Sequence, residues 1–434
     1  MGKWKLLVAL VLAAFIIGCA QQAAKPKEEE KKAEVEPIVI GLPLPINFPD
    51  GYAPYRGAVL AAEEINAKGG INVGGVKRPI KIEVVDTRDL EPGVPISEAL
   101  AAVEKLILEK KVHVLVGGPA RSEAALATLD IIAKYKVPWI VSCGVLTPAF
   151  HKRIEENYDK YKYAFRLNAH AVWLAKENVD ILEKLREKYG FNRVYVMVQD
   201  VEHARKFGEV IAKMLEEKGW KVVGFDRYPT GTTDFSSGLL KAKSEDADIL
   251  LIQMDMPETM TLIKQWADLK VPALPIGFIR AAQEQKAWEA TEGKVNYFIV
   301  SAGAFTGNAP SNATEWTMKF YNAYTKRWGT PPQGHGTSAS YMAIYVVADA
   351  IERAGSLDPD KIVKALEETD MMGVFGRIRF DPKSHQVILA DDPKEGAVTC
   401  WFQWQDGKRV TIYPPSIAEG EIKLPPWMLE KAKR

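Results

Sequence analysis

Short β-branched runs alternate with amphipathic helical stretches along most of this chain, and the alternation comes in two successive sets. Ile38 to Gly41, Ile80 to Asp86, Val112 to Gly117 and Val137 to Ser142 read as strands, separated by helical patterns at Ala53 to Ala67, Ile96 to Lys110 and Ser122 to Tyr135. After a helical stretch from Leu174 to Tyr189 the cycle restarts. Strands are read at Val194 to Gln199, Lys221 to Phe225, Asp248 to Gln253 and Leu274 to Gly277, with helices at Phe207 to Lys218, Phe235 to Ser244 and Met256 to Leu269. Strands joined through helices pair in parallel. The pattern therefore predicts an α/β fold of two doubly wound parallel-sheet lobes. No residue-level repeat links the two sets, so their likeness is architectural. Beyond Tyr297 come helical patterns at Thr314 to Trp328, Ser338 to Ala354 and Asp360 to Glu368. Alternating strands follow at Arg377 to Phe380, Ala397 to Gln405 and Val410 to Tyr413. Asp406-Gly407 is a hairpin signal, and the Pro425-Pro426 tail shows no clear element.

Charge and cysteine content exclude several classes of function. Of 434 residues, 57 are basic and 56 acidic, a net charge of +1, without the basic excess that nucleic-acid binding requires. Three cysteines leave one unpaired and cannot build a disulfide scaffold. There is no CxxC or HExxH, and the six histidines are scattered, so no metal site is expected. At the start, Lys3 and Lys5 precede an apolar run from Leu6 to Ile17. The run is about 12 residues, shorter than the ~20 of a spanning helix, and fits the core of a secretory signal peptide. Gly18 before Cys19, with Ile16 and Ile17 upstream, resembles the lipobox of bacterial lipoproteins, in which the cysteine carries the lipid. Ile16 stands where leucine is usual. Residues 1–19 are thus expected to be a lipoprotein signal peptide ending at Cys19. Residues 20–37, with Glu28 to Lys32 fully charged, read as a flexible tether of roughly 25 Å. The expected location is outside the cytoplasm, with the membrane reached through the lipid anchor only.

Catalytic patterns are missing. Gly69 to Gly75 is glycine-rich but follows a helix, so it reads as a turn and not as a phosphate cradle. Thr230 to Asp234 has no partner base and reads as a helix start. With no nucleophile–base set the chain is expected to bind without catalysing, and no cofactor is implied. In an α/β sheet, ligands dock at loops past the carboxyl ends of strands. That rule selects 118–122, 142–147, 200–207, 254–257 and 278–282.

Asn66-Ala67-Lys68-Gly69-Gly70-Ile71 resembles the "IN-x-x-GGI" turn of leucine/isoleucine/valine-binding proteins, the substrate-binding components of branched-chain amino-acid ABC importers. Val85 to Asp89 resembles their "D-x-x-D" strand end, Pro229 to Ser236 their "G-x-x-D-F-S" segment, and Gly376 to Asp381 their "G-x-I-x-F-D" turn. Phe402-Gln403-Trp404 followed by Asp406-Gly407-Lys408 is similar too. The motifs keep their order from about Ile38 to Pro414. The resemblance implies a type I periplasmic-binding fold, its lobes joined by three crossovers near Arg166, Val300 and Gly376. One lobe would be 38–166 with 300–376, the other 167–299 with 377–434. It also implies a ligand held in the cleft, closure on binding, and an ABC permease and ATPase as partners. The same fold serves sensory modules as well.

Carried onto this sequence, the family's ligand loops match Gly117 to Ser122 and Gly144-Val145-Leu146. Ser122 at a helix start and Arg121 would receive a carboxylate. Ser122 reads equally as an N-cap and Arg121 as a surface residue. Ser142, Gly144, Val145 and Leu146 would line the next loop, with Leu146 where a threonine hydroxyl is expected. Cys143 reads as a small buried apolar residue. In the second lobe Phe207 matches the family's tyrosine, with helix-face packing as its plainer role, and Met254 and Asp255 end a strand. Trp266 and Trp288 read as packing. Arg280 falls where the family has an acid for the ligand's ammonium. With Asp255 or Asp200 as the alternative countercharge, the pair Arg121 and Arg280 leads to the expectation of a carboxylic acid lacking an amino group.

Overall fold

The computed structural model describes residues 35–433, so Cys19 and all but the end of the charged tether lie outside the described residues. From Pro37 onward the chain forms one compact unit. Its first sheet contains β1 (Ile38–Leu44), β4 (Ile80–Asp86), β5 (Val114–Gly117), β6 (Trp139–Val141) and β7 (Ala164–Arg166) in the order β4-β1-β5-β6-β7, all parallel. Between β1 and β4 the short hairpin of β2 (Ile71–Val73) and β3 (Val76–Arg78) occupies the glycine-rich stretch read as a turn. The helix after β1 runs Pro49–Asn66, starting four residues before the apolar pattern does. Proline is tolerated in the first turn, where no intrahelical donor is needed.

The second sheet contains β8 (Arg193–Gln199), β9 (Lys221–Tyr228), β10 (Ile249–Met254), β11 (Leu274–Ile279), β12 (Ile299–Phe305), β15 (Thr399–Gln405) and β16 (Lys408–Tyr413). A small separate hairpin pairs β13 (Met371–Gly373) with β14 (Gly376–Ile378). The sheet order is β16-β15-β12-β11-β10-β8-β9, parallel from β9 to β12 and antiparallel at β15 and β16. Asp406 and Gly407 join the last two strands with φ of 52° and 82°, the doubly positive turn that an Asp-Gly pair favours. Successive residues of one strand enter opposite cores. Leu250 and Ile252 pack on one face, Ile249 and Leu251 on the other. Period-two alternation with both faces covered explains why β10 reads as an unbroken apolar run.

A separate core surrounds the first sheet. The chain leaves it between Leu174 and Ala175, returns between Ala302 and Phe305 and leaves again between Ala397 and Val398, with a short excursion at Ala309 into a core of the second sheet. The segment 377–397, expected in the second lobe, packs in the first core through Ile378, Phe380, Val387 and Ala397. Its backbone brackets Arg166 at the open edge of β7, the Arg166 amide donating to His385 O and the Val387 amide to Arg166 O, both at 2.9 Å. An unpaired strand edge takes such a partner readily. Phe165 adds ring contacts to Phe380 and His385. The tail is also packed: Met428 is buried, and Lys431 meets Asp246 and Asp248 at 3.0 Å each.

Candidate functional site

The loops past the carboxyl ends of both sheets meet one another. Asp50, in the first turn of the helix after β1, forms an ion pair at 2.9 Å with Arg280, which follows β11. The Asp50 carboxylate also accepts the His335 amide at 2.7 Å. The His335 ring lies 5.0 Å from that of Phe278. Phe207 packs against both the first core and one core of the second sheet. Burial alone would raise the Asp50 pKa, but Arg280 and His335 outweigh it and hold the carboxyl below its ordinary value. Burial lowers the His335 pKa, which keeps the ring neutral at pH 7, and its Nδ1 has no partner among the described residues. Asp255 pairs with His203, and that bond raises the histidine's pKa.

The expected site residues divide into groups. Arg121 points along its own helix, 3.6 Å from Glu123, while its amide donates to Asp89 at 2.6 Å. Holding that amide makes Arg121 the residue before the helix and Ser122 its first helical residue, so Ser122 is not the N-cap. Gly144 and Leu146 are half-buried in the loop after β6. A Cβ on Gly144 would lie 2.3 Å from Ala120 O, so the close approach of the two first-sheet loops requires glycine there. The Val145 amide completes this contact by donating to Ala120 O at 2.9 Å.

Three side chains expected to face ligand do not. Ser142 is fully buried, its hydroxyl 2.8 Å from that of Ser340. Val145 points into the first core and Met254 into the second. Ser142 and Met254 lie at or next to a strand end, where the inward-facing register continues into the sheet's core, and Val145 is turned inward by its loop, at a φ of 54°. Asp200 is engaged by Arg205 at 2.6 Å. Arg280, expected as an unopposed positive charge, is neutralised by Asp50. Cys143, Trp266 and Trp288 match their packing roles. Cys143 and Trp266 are buried, and Trp288 stacks 6.2 Å from Trp404.

Sequence reasoning missed Asp50 and His335, whereas Phe278 and His203 lie in the selected loops 278–282 and 200–207 without having been singled out. Applied to the loop after β1, the strand-end rule would have found Asp50. His335 follows no strand, so no local signal marks it. The "D-x-x-D" motif has a bracing role: Asp86 accepts the Ile46 amide at 3.2 Å and Asn47 Nδ2 at 3.0 Å, and Asp89 holds Arg121. Among the described residues no cluster of His, Cys, Asp and Glu is arranged to hold a metal, and no helix is long and apolar enough to cross a membrane.

Comparison with known proteins agrees with this architecture. The family model described as "periplasmic binding protein" matches residues 50–390. Leu/Ile/Val-binding protein homolog 7 of Brucella suis is 26% identical over 431 residues, covering 97% of this chain and 99% of its own. The branched-chain amino acid transporter substrate binding protein LivJ from Streptococcus pneumoniae, solved with isoleucine, superposes with a TM-score of 0.68 at 22% identity, over 87% of this chain and 100% of that one. A solute binding protein of an ABC transporter from R. palustris, solved with benzoate, gives 0.65 at 16% identity, over 89% of this chain and 98% of that one. With its two strand-end loop sets opposed and the match running through both sheets, the chain belongs to the periplasmic binding protein family.

Proposed function

We propose that this protein is an extracytoplasmic lipoprotein that captures a small carboxylic acid, amino-acid-like or related, between its lobes and delivers it to an ABC permease and ATPase. The observation that carries the ligand site is the meeting of the two sets of strand-end loops at Asp50–Arg280, with His335 packed beside them against Phe278. Ligand sites of α/β sheets lie at such ends. The relatives' names, one for Leu/Ile/Val and two solved with isoleucine or benzoate, support the class of solute. Specificity would come from loop contacts and free energy from burial on closure, without covalent chemistry.

The charges now favour a ligand that keeps its amino group. Asp50 cancels Arg280, and Asp255, which follows the neighbouring strand, would exchange its His203 partner for a ligand ammonium. Calorimetry is expected to show leucine binding at least as tightly as its 2-keto analogue, the reverse of the expectation drawn from Arg121 and Arg280. Keto-acid binding without leucine binding would return the site to a deaminated acid. Failure of both, with no small acid retained by protein purified under native conditions, would remove the ligand class altogether.

For the anchor, Cys19→Ala is expected to release the protein from membranes or leave it unprocessed. Unchanged membrane fractionation and unchanged mass in that variant would refute lipidation.

A further inference from the structure

Arg166 ends β7, is fully buried, and has only uncharged hydrogen-bond partners. Its guanidinium donates to Gln386 Oε1, to Val145 O at 2.9 Å and to Thr147 O at 2.7 Å, and contacts His151 Nδ1. Burial lowers its pKa to about 9, which still leaves it charged at pH 7. A buried charge without a counter-ion is expensive to keep. The fold keeps this one directly behind the loop that follows β6.

Each carbonyl of the loop from Gly144 to Thr147 is held, two of the four by that charge. Gly144 O accepts Asn168 Nδ2 at 2.8 Å, Val145 O and Thr147 O accept Arg166, and Leu146 O accepts the Ala171 amide at 2.9 Å. The Val145–Leu146 peptide is trans, so with its carbonyl on Arg166 its N–H points the opposite way. The amides of Leu146 and Thr147 have no hydrogen-bond partner among the described residues. The Leu146 donor is thus left unpaired on the side of its peptide away from a buried cation. The other arginines of these loops are less suited to the task, since Arg121 lies against Glu123 and Arg280 against Asp50.

We propose that Arg166 is a positioning residue for the ligand's carboxylate, holding the Val145 carbonyl so that the Leu146 amide faces the anion in its field. This rests on the reading of the 142–147 loop as ligand-facing. Gln386 ties the arrangement to the segment 377–397, because its side chain accepts from Arg166 and donates to Asn168 O at 2.8 Å.

The test compares each acid with its own carboxamide, leucine with leucinamide and 4-methyl-2-oxopentanoate with its amide, by calorimetry on wild type, Arg166→Gln and Arg166→Lys. In wild type the acid is expected to bind about 10- to 100-fold more tightly than the amide, the range of a charge-assisted contact. In Arg166→Gln this ratio is expected to fall towards one, and in Arg166→Lys, which keeps the charge but loses the planar fork, to lie between. A purely structural role would weaken acid and amide alike and leave the ratio unchanged, which overturns the proposal. If Arg166→Gln does not fold, the Arg166→Lys ratio decides: one equal to wild type overturns the proposal, and a reduced one supports it. Wild type binding acid and amide equally also overturns it. Wild type binding neither acid overturns the ligand-facing reading of the loop, and the inference with it.

Discussion

Asp50→Asn is expected to shift the ligand-free protein towards an open form by about 3 kcal/mol, roughly 150-fold in the closed-to-open ratio. The Asp50 and Arg280 side chains are only 22% and 14% exposed, and removing one partner of a mostly buried pair leaves the other charge desolvated. Asparagine keeps the shape and can still accept the His335 amide, so the change isolates the charge. The two residues belong to different sheets, and parting the lobes would return Arg280 to water. The cost therefore falls on closure more than on folding. Scattering should give a larger radius of gyration for Asp50→Asn than for wild type, and added salt should expand wild type but not the variant. Exchanging the charges, Asp50→Arg with Arg280→Asp, should restore much of the compaction. Equal radii for wild type and Asp50→Asn at low salt would refute the pair as a closing contact.

Glu177→Gln is expected to stabilise the protein at pH 8 by up to ~3 kcal/mol and to change little near pH 4.5. Glu177 is fully buried in the helix Ala171–Tyr189, accepting the Thr399 hydroxyl and, at 3.1 Å, Trp401 Nε1. Burial outweighs these bonds and pushes its pKa up to about 7, with Asp391 adding repulsion. An acid whose folded pKa is raised holds its proton more tightly when folded. Its contribution is complete below the unfolded value of 4.5 and is lost as pH rises to about 7. Glutamine stays neutral throughout, and the Thr399 hydroxyl can accept from its amide. Denaturant midpoints for both proteins at pH 4.5, 6 and 8 measure the difference. A variant less stable than wild type at pH 8 would show that the carboxylate's hydrogen bonds outweigh its desolvation.

The patterns legible in the sequence were those with a short period. The strand–helix alternation, the apolar run of β10 and the Asp406-Gly407 turn each follow from residues within a few positions of one another. Backbone geometry imposes periods of 2.0 and 3.6 on any buried face, so these elements declare themselves wherever the chain is read. The ordered motifs extended this to the family because each marks a local turn or brace, as Asp86 and Asp89 show. Loops 142–147 and 278–282 were found by the same route, since a strand end is a local feature.

What the tertiary structure decided was which side chains in those loops remain available. Asp50 and Arg280 cancel, Ser142 is taken by Ser340, and Glu123 lies against Arg121. The positive charge behind the loop after β6 comes instead from Arg166, which the sequence marked only as the place of a crossover. The segment 377–397 joined the first core because β7 had an open edge to cover. These outcomes depend on pairings between residues far apart in the chain, set by the order of strands in each sheet. Burial, moreover, decides how strongly each charge acts, because a charge removed from water must find its partner in whatever the fold brings beside it.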